Sequence, residues 1–196
     1  MLARRILGAS WRAVRHAPDR AFHALRRRAA AARVRGKVPR SVLFICYGNV
    51  CRSPYAAAVF AKLWPAVMPH VTITSAGFVG PGRGSPEPAL SAARRRGIDL
   101  SGHRSTLVST QAVRGAELAI VMSATQSRAL RRVGGRQSNP LILGDLDPEP
   151  ILTRTIVDPW GEADEVFDES YERIDRCVRE LIREMTSTLR QEANRE

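Results

Sequence analysis

From Ser41 onward, short apolar runs alternate with longer stretches of helical periodicity, and this alternation restricts the fold more than any other property of the chain. Residues 42–45, 71–74, 118–122 and 141–143 read as four short buried strands. Residues 53–63, 88–96, 109–114, 124–132 and 164–192 read as helices. Pro54 opens the first of these near its first position, and Gly97 stops the second. The last carries Val166, Phe167, Tyr171, Ile174, Val178, Leu181 and Ile182 at helical spacing. Strands separated by helices predict an α/β domain, a four-stranded parallel sheet with helices on both faces. In such sheets ligands bind beyond the carboxyl ends of the strands.

Charge divides the chain at about residue 40. Of its 31 basic residues, eleven arginines and Lys37 fall in residues 1–40 with one acid, Asp19, so that stretch carries +11 of the formal +12. The remaining 19 basic and 18 acidic side chains nearly cancel. Two parts follow: a basic, arginine-rich and partly amphipathic helical extension over 1–40, and a folded domain over 41–196. Residues 2–16 separate on a helical wheel, with Leu2, Ile6, Leu7 and Trp11 on one half and Arg4, Arg5, Arg12 and Arg15 on the other. Apolar burial combined with several arginines fits reversible attachment to an anionic membrane surface. A solvated basic tail, an upstream misassigned start and a mitochondrial presequence are the alternatives. Asp19 is expected to cap a second helix running to about Arg35, closed by Gly36 and Pro39.

Cys46, Cys51 and Cys177 are too few and too unevenly spaced for a disulfide framework or a zinc site, which favours a reducing compartment and a cytoplasmic location. No apolar run approaches the roughly 20 residues of a membrane span or the run of about 7–15 of a secretory signal.

The chemistry concentrates in the loop after the first strand, Cys46-Tyr47-Gly48-Asn49-Val50-Cys51-Arg52-Ser53. A cysteine and an arginine separated by five residues, between a buried strand and a helix, suit a tetrahedral dianion. The loop can wrap backbone N–H groups around the anion, and the following helix adds its own free N–H groups and positive end. Gly48 and Asn49 tolerate the left-handed conformations such a cradle needs. Arg52 can donate two parallel charge-assisted bonds to a phosphate. The same positive field favours the thiolate of Cys46, the attacking form, and the Ser53 hydroxyl is placed to stabilise it.

The string Phe44-Ile45-Cys46-Tyr47-Gly48-Asn49-Val50-Cys51-Arg52-Ser53-Pro54 resembles the signature of the low-molecular-weight protein tyrosine phosphatases. Ser75-Ala76-Gly77, the run from Gly97 to Ser101, Met122 and Asp158-Pro159 follow in that family's order, so the resemblance covers roughly residues 41–189. It implies the phosphotyrosine protein phosphatase I-like fold, a phosphocysteine intermediate, phosphotyrosine protein substrates and no metal or organic cofactor. By position, Asp158 is the general acid that protonates the leaving oxygen and then activates water. Trp160 falls where relatives place an aromatic wall of the cleft, although Gly161 follows where a second aromatic is frequent. Asn49, Ser53, Ser75 and a histidine, here His103, correspond to a hydrogen-bonded support network. Tyr47, Gly48, Asn49, Val50, Cys51, Ser53 and Trp160 form the expected substrate-binding set.

Three rivals stand beside this reading. A protein-arginine phosphatase carries a threonine where this chain has Val50. A thioredoxin-coupled arsenate reductase needs relay cysteines, and none lies between Cys51 and Cys177. The third rival is of another class, a phosphate-loop binding module tethered to membrane or nucleic acid by the extension; no specific nucleic acid is expected.

Overall fold

A computed structural model describes residues 17–135 and 137–187, so the amphipathic reading of residues 2–16 and the expected helical stretch 188–192 lie outside the described residues. Four parallel strands, β1 (Ser41–Cys46), β2 (Thr72–Gly77), β3 (Leu118–Val121) and β4 (Leu141–Ile142), lie in the order β2-β1-β3-β4. Among the described residues the helices around them include α1 (His23–Val34), α2 (Arg52–Leu63), α3 (Glu87–Arg95), α4 (Thr110–Gly115), α5 (Ala124–Gly134) and α6 (Asp164–Met185). Leu143, expected to close the fourth strand, instead opens a short 3₁₀ turn, Leu143–Leu146.

Strand β1 sits between β2 and β3, and five of its six residues are buried, as a strand covered on both faces must be. Its alternation sorts the core. Val42, Phe44 and Cys46 face a large cluster with Ala30 and Val34 of α1, Phe60 of α2 and Ile174 and Leu181 of α6. Leu43 and Ile45 face a smaller one with Val113 of α4 and Leu130 of α5. The caps are local. Ser109 and Ser123 accept from the backbone N–H groups of Ala112 and Gln126, at 3.1 and 3.2 Å, to start α4 and α5.

Two expectations about the basic stretch change in the structure. Asp19 does not cap a helix. Its carboxylate accepts from Thr153 Oγ1 and the Arg154 backbone N–H, both at 3.1 Å, because those donors lie on a neighbouring loop and α1 starts only at His23. Helix α1 is also packed rather than solvated: Ala30, Ala31 and Val34 are buried. Arg27 and Arg35 pair with Glu180 and Glu184 of α6 at 2.6 and 2.8 Å. The arginine-rich composition of this segment thus answers an acidic strip on α6.

Asp147, just after the 3₁₀ turn, is fully buried and accepts from Arg173 Nε at 2.8 Å and Arg176 Nε at 2.7 Å. Arg173 also donates to the carbonyls of Thr155 and Thr153, at 2.9 and 2.8 Å. This ionic cluster fastens the segment that leads to Asp158 onto α6.

Candidate active site

The loop between β1 and α2 folds as a cradle because its ends are held by regular structure and its middle by side-chain bonds. Asn49 takes a left-handed backbone conformation, φ 51°, which an asparagine tolerates better than most residues. Gly48, expected to share that conformation, does not. A Cβ there would sit 3.1 Å from Arg83 Nη2, so a side chain at this position would press on the Arg83 guanidinium.

Cys46 ends β1 and is buried. Its sulfur accepts from the Asn49 backbone N–H at 3.2 Å and from the Ser53 hydroxyl at 3.1 Å. Two donors aimed at one sulfur stabilise its anion. Cys51, five residues on, is a different kind of thiol: burial first, and Cys46 next, push it up to about 12. It stays protonated where Cys46 receives hydrogen bonds. Cys177 is also buried, and desolvation drives its thiol well above the ordinary range. It packs in α6, away from the loop.

A second ring of bonds fixes the cradle from outside. The Asn49 side-chain amide donates to Ser53 Oγ and Ser75 Oγ, both at 2.9 Å, and its oxygen accepts from the Thr106 N–H at 2.8 Å. His103 Nε2 lies 2.7 Å from the Asn49 carbonyl oxygen. The structure therefore brings Asn49, Ser53, Ser75 and His103 into one network around the cysteine.

Arg52 is 3% exposed at the first position of α2. Its guanidinium donates to the Ile156 carbonyl at 3.1 Å and pairs with the Asp158 carboxylate. Asp158 also accepts from the Trp160 backbone N–H at 3.3 Å. A cavity of about 360 Å³ opens above these groups, lined by Cys46, Arg52, Tyr47, Asp158, Trp160 and Arg83 among others. Tyr47 and Trp160 are 57% and 54% exposed, and they form its aromatic rim. Val50 and Cys51 are buried beneath.

Two residues were missed from sequence. Arg83, in the Gly/Pro-rich loop after β2, donates to the carbonyls of Gly48 at 3.0 Å, Val79 at 3.1 Å and Gly80 at 2.9 Å. Its guanidinium carbon lies 5.9 Å from the centre of the Trp160 ring, within range of a cation–π contact. One arginine therefore ties the cradle to the aromatic rim. The signal in the sequence was one arginine among glycines and prolines. The other is Gly77, paired in register with Cys46. A Cβ at Gly77 would meet Asn49 N at 2.7 Å and Tyr47 O at 2.8 Å. Gly77→Ala must displace the cradle, and a misplacement near 1 Å costs about 10²-fold in rate. Steady-state kinetics on an aryl phosphate are expected to show that loss in kcat/KM with the fold retained by circular dichroism.

Residues 41–194 match the family described as low molecular weight phosphotyrosine protein phosphatase. The chain is 33% identical over 154 residues to the low molecular weight phosphotyrosine protein phosphatase of Sus scrofa, covering 74% of this chain and 96% of that one. It is 31% identical over 142 residues to the probable low molecular weight protein-tyrosine-phosphatase EpsP of Ralstonia nicotianae, covering 71% and 91%. Among solved structures, the tyrosine phosphatase Wzb of Escherichia coli K30 in complex with sulphate superposes with a TM-score of 0.65 at 28% identity, over 74% of this chain and 97% of that one. The matched family segment covers the sheet and the loop after β1, and α1 precedes it.

Proposed function

The chain belongs to the low molecular weight phosphotyrosine protein phosphatase family, and from that premise we propose that Cys46 is its nucleophile, Arg52 its phosphate clamp and Asp158 its general acid. As a member of that family it is a protein-tyrosine-phosphatase, a phosphomonoester hydrolase acting on phosphoproteins. The observation that carries the residue assignment is the sulfur of Cys46 receiving two hydrogen bonds at the base of a cradle closed by Arg52 and Asp158.

The steps follow from this placement. The phosphate oxygens accept from the loop N–H groups and from Arg52, which exchanges its carboxylate partner for the substrate dianion, and the freed Asp158 carboxylate takes up a proton from solvent before attack. The Cys46 thiolate attacks phosphorus, the bond to the leaving oxygen breaks, and Asp158 delivers its proton to that oxygen. Asp158, now a carboxylate, takes a proton from the water that attacks phosphocysteine. Phosphate leaves with the new oxygen, and the thiolate returns to the bonds from Asn49 and Ser53.

The exposed rings of Tyr47 and Trp160 flank a slot suited to a phenyl group, which favours phosphotyrosine. Val50 inside the loop favours the same choice over phosphoarginine. Tyr47, Gly48, Asn49, Val50, Cys51, Ser53 and Trp160 complete the substrate-binding set, with Ser75 and His103 holding Asn49 in place. Cys51 is the partner we assign to an oxidised Cys46. The same proposal places the protein in the cytoplasm, with residues 2–16 meeting anionic membrane. Among the described residues no helix is long and apolar enough to cross a membrane.

Asp158→Ala tests the assignment of the acid. Hydrolysis of para-nitrophenyl phosphate is expected to slow by about 10²–10⁴-fold, with orthovanadate still bound. Equal loss of turnover and vanadate binding would contradict a general-acid role.

A further inference from the structure

A groove of about 360 Å³ runs between α1 and α5 and shares no lining residue with the Cys46 cavity. Five arginines reach it: Arg26 and Arg33 from α1, Arg128 and Arg131 from α5, and Arg154. One carboxylate, that of buried Asp145, faces them. It is occupied. Arg154 binds both of its oxygens, through Nε at 3.0 Å and through Nη2, and Arg26 Nε approaches it at 3.6 Å.

The other three guanidiniums have only neutral partners. Arg33 donates to the main-chain carbonyls of Asn139 and Pro140, Arg131 to Asn139 Oδ1 at 3.3 Å, and Arg128 to Thr125 Oγ1 at 3.3 Å. Among the described residues none of the three forms an ion pair. Arg33 is half-buried, and its guanidinium is pushed below its ordinary range by burial first and by the like charge of Arg131 next. Desolvating a cation beside another cation is unfavourable unless an anion joins them. Elsewhere in this segment Arg27 on α1 and Arg35 just after it meet glutamates. The groove departs from that pattern.

We propose that the groove between α1 and α5 is a second anion site, in which Arg33 and Arg131 hold a phosphoryl group and Arg128 closes its rim. The ligand class is a phosphate monoester or pyrophosphate, either free or carried on a lipid headgroup, since planar guanidiniums match phosphoryl oxygens two at a time. The size of the groove is that of a small-ligand site, roughly 300–1,000 Å³. The matched family segment begins after α1, so Arg26 and Arg33 reach the groove from outside that segment, while Arg128, Arg131 and Arg154 belong to it.

Calorimetric titration of the full-length protein with inorganic pyrophosphate tests the proposal. Two sites are expected, one displaced by orthovanadate from the Cys46 loop and one not. In Arg33→Ala/Arg131→Ala the vanadate-insensitive site is expected to weaken by at least about tenfold, with hydrolysis of para-nitrophenyl phosphate unchanged. Arg128→Ala/Arg131→Ala, confined to exposed positions on α5, guards against a folding defect and is expected to weaken the same site. Flotation on phosphatidylcholine vesicles with and without phosphatidic acid separates the sources. Loss of vesicle binding in the variants identifies a headgroup, and unchanged vesicle binding with loss of the calorimetric site identifies a free phosphate. A single, wholly vanadate-sensitive pyrophosphate site, or a second site that both double variants retain, would overturn the proposal.

Discussion

Replacing Asp147 with alanine is expected to lower stability by about 3–5 kcal/mol, the cost of breaking a buried ion pair by removing one partner. Asp147 is fully buried and receives both Arg173 and Arg176. Without it, two largely sequestered guanidiniums face each other with no carboxylate between them. In a domain of this size each kcal/mol shifts the melting temperature by roughly 2–4 °C, so thermal unfolding should begin about 10 °C lower. Catalysis should suffer as well, because Arg173 also holds the carbonyls of Thr153 and Thr155, upstream of Asp158. Asp147→Asn keeps the shape and removes the charge. Its melting temperature is expected to fall between those of wild type and alanine variant, and equal stability of all three proteins would show that the cluster carries no net stabilisation.

The largest effect on activity belongs to Cys46→Ser. The substitution leaves the cradle, Arg52 and Asp158 in place and replaces a sulfur anion with a neutral hydroxyl that has no base beside it. Loss of a nucleophile in a concerted site is typically worth 10⁴-fold or more, on the order of the largest single-residue effects. Hydrolysis of an aryl phosphate should fall by at least that factor while phosphate still binds. Cys51→Ser should retain most of the activity, since burial keeps that thiol protonated.

The parts of this molecule that depend on neighbours in the chain were legible in the sequence. The strands around Phe44 and Ile120 declared themselves as apolar runs, the helices by periodicity, and the cradle by a cysteine and arginine five residues apart on one continuous segment. What remained hidden depends on contacts between distant segments. Gly77 reads only as the end of the Ser75-Ala76-Gly77 run until its register with Cys46 shows the cradle pressed against it. Arg83 reads as part of a loose loop until its three carbonyl partners are seen. Asp19 reads as a helix cap because caps are local, yet its partners are Thr153 and Arg154. The basic run over α1 reads as a solvated tail because charge is counted without its counter-charges. Those are Glu180 and Glu184, about 150 residues away, and no periodicity reveals them. The pairing of Arg52 with Asp158 belongs to the same class, since two residues assigned separate roles turn out to hold each other.

The most direct test of Cys46 as nucleophile is the covalent state of its sulfur during turnover. Wild-type protein mixed with an aryl phosphate, quenched in acid within the first turnovers and digested, should yield the peptide containing Cys46 heavier by one phosphoryl group, with no other peptide modified. An unmodified Cys46 peptide under conditions of rapid turnover, or a phosphoryl group on a different residue, would contradict the account.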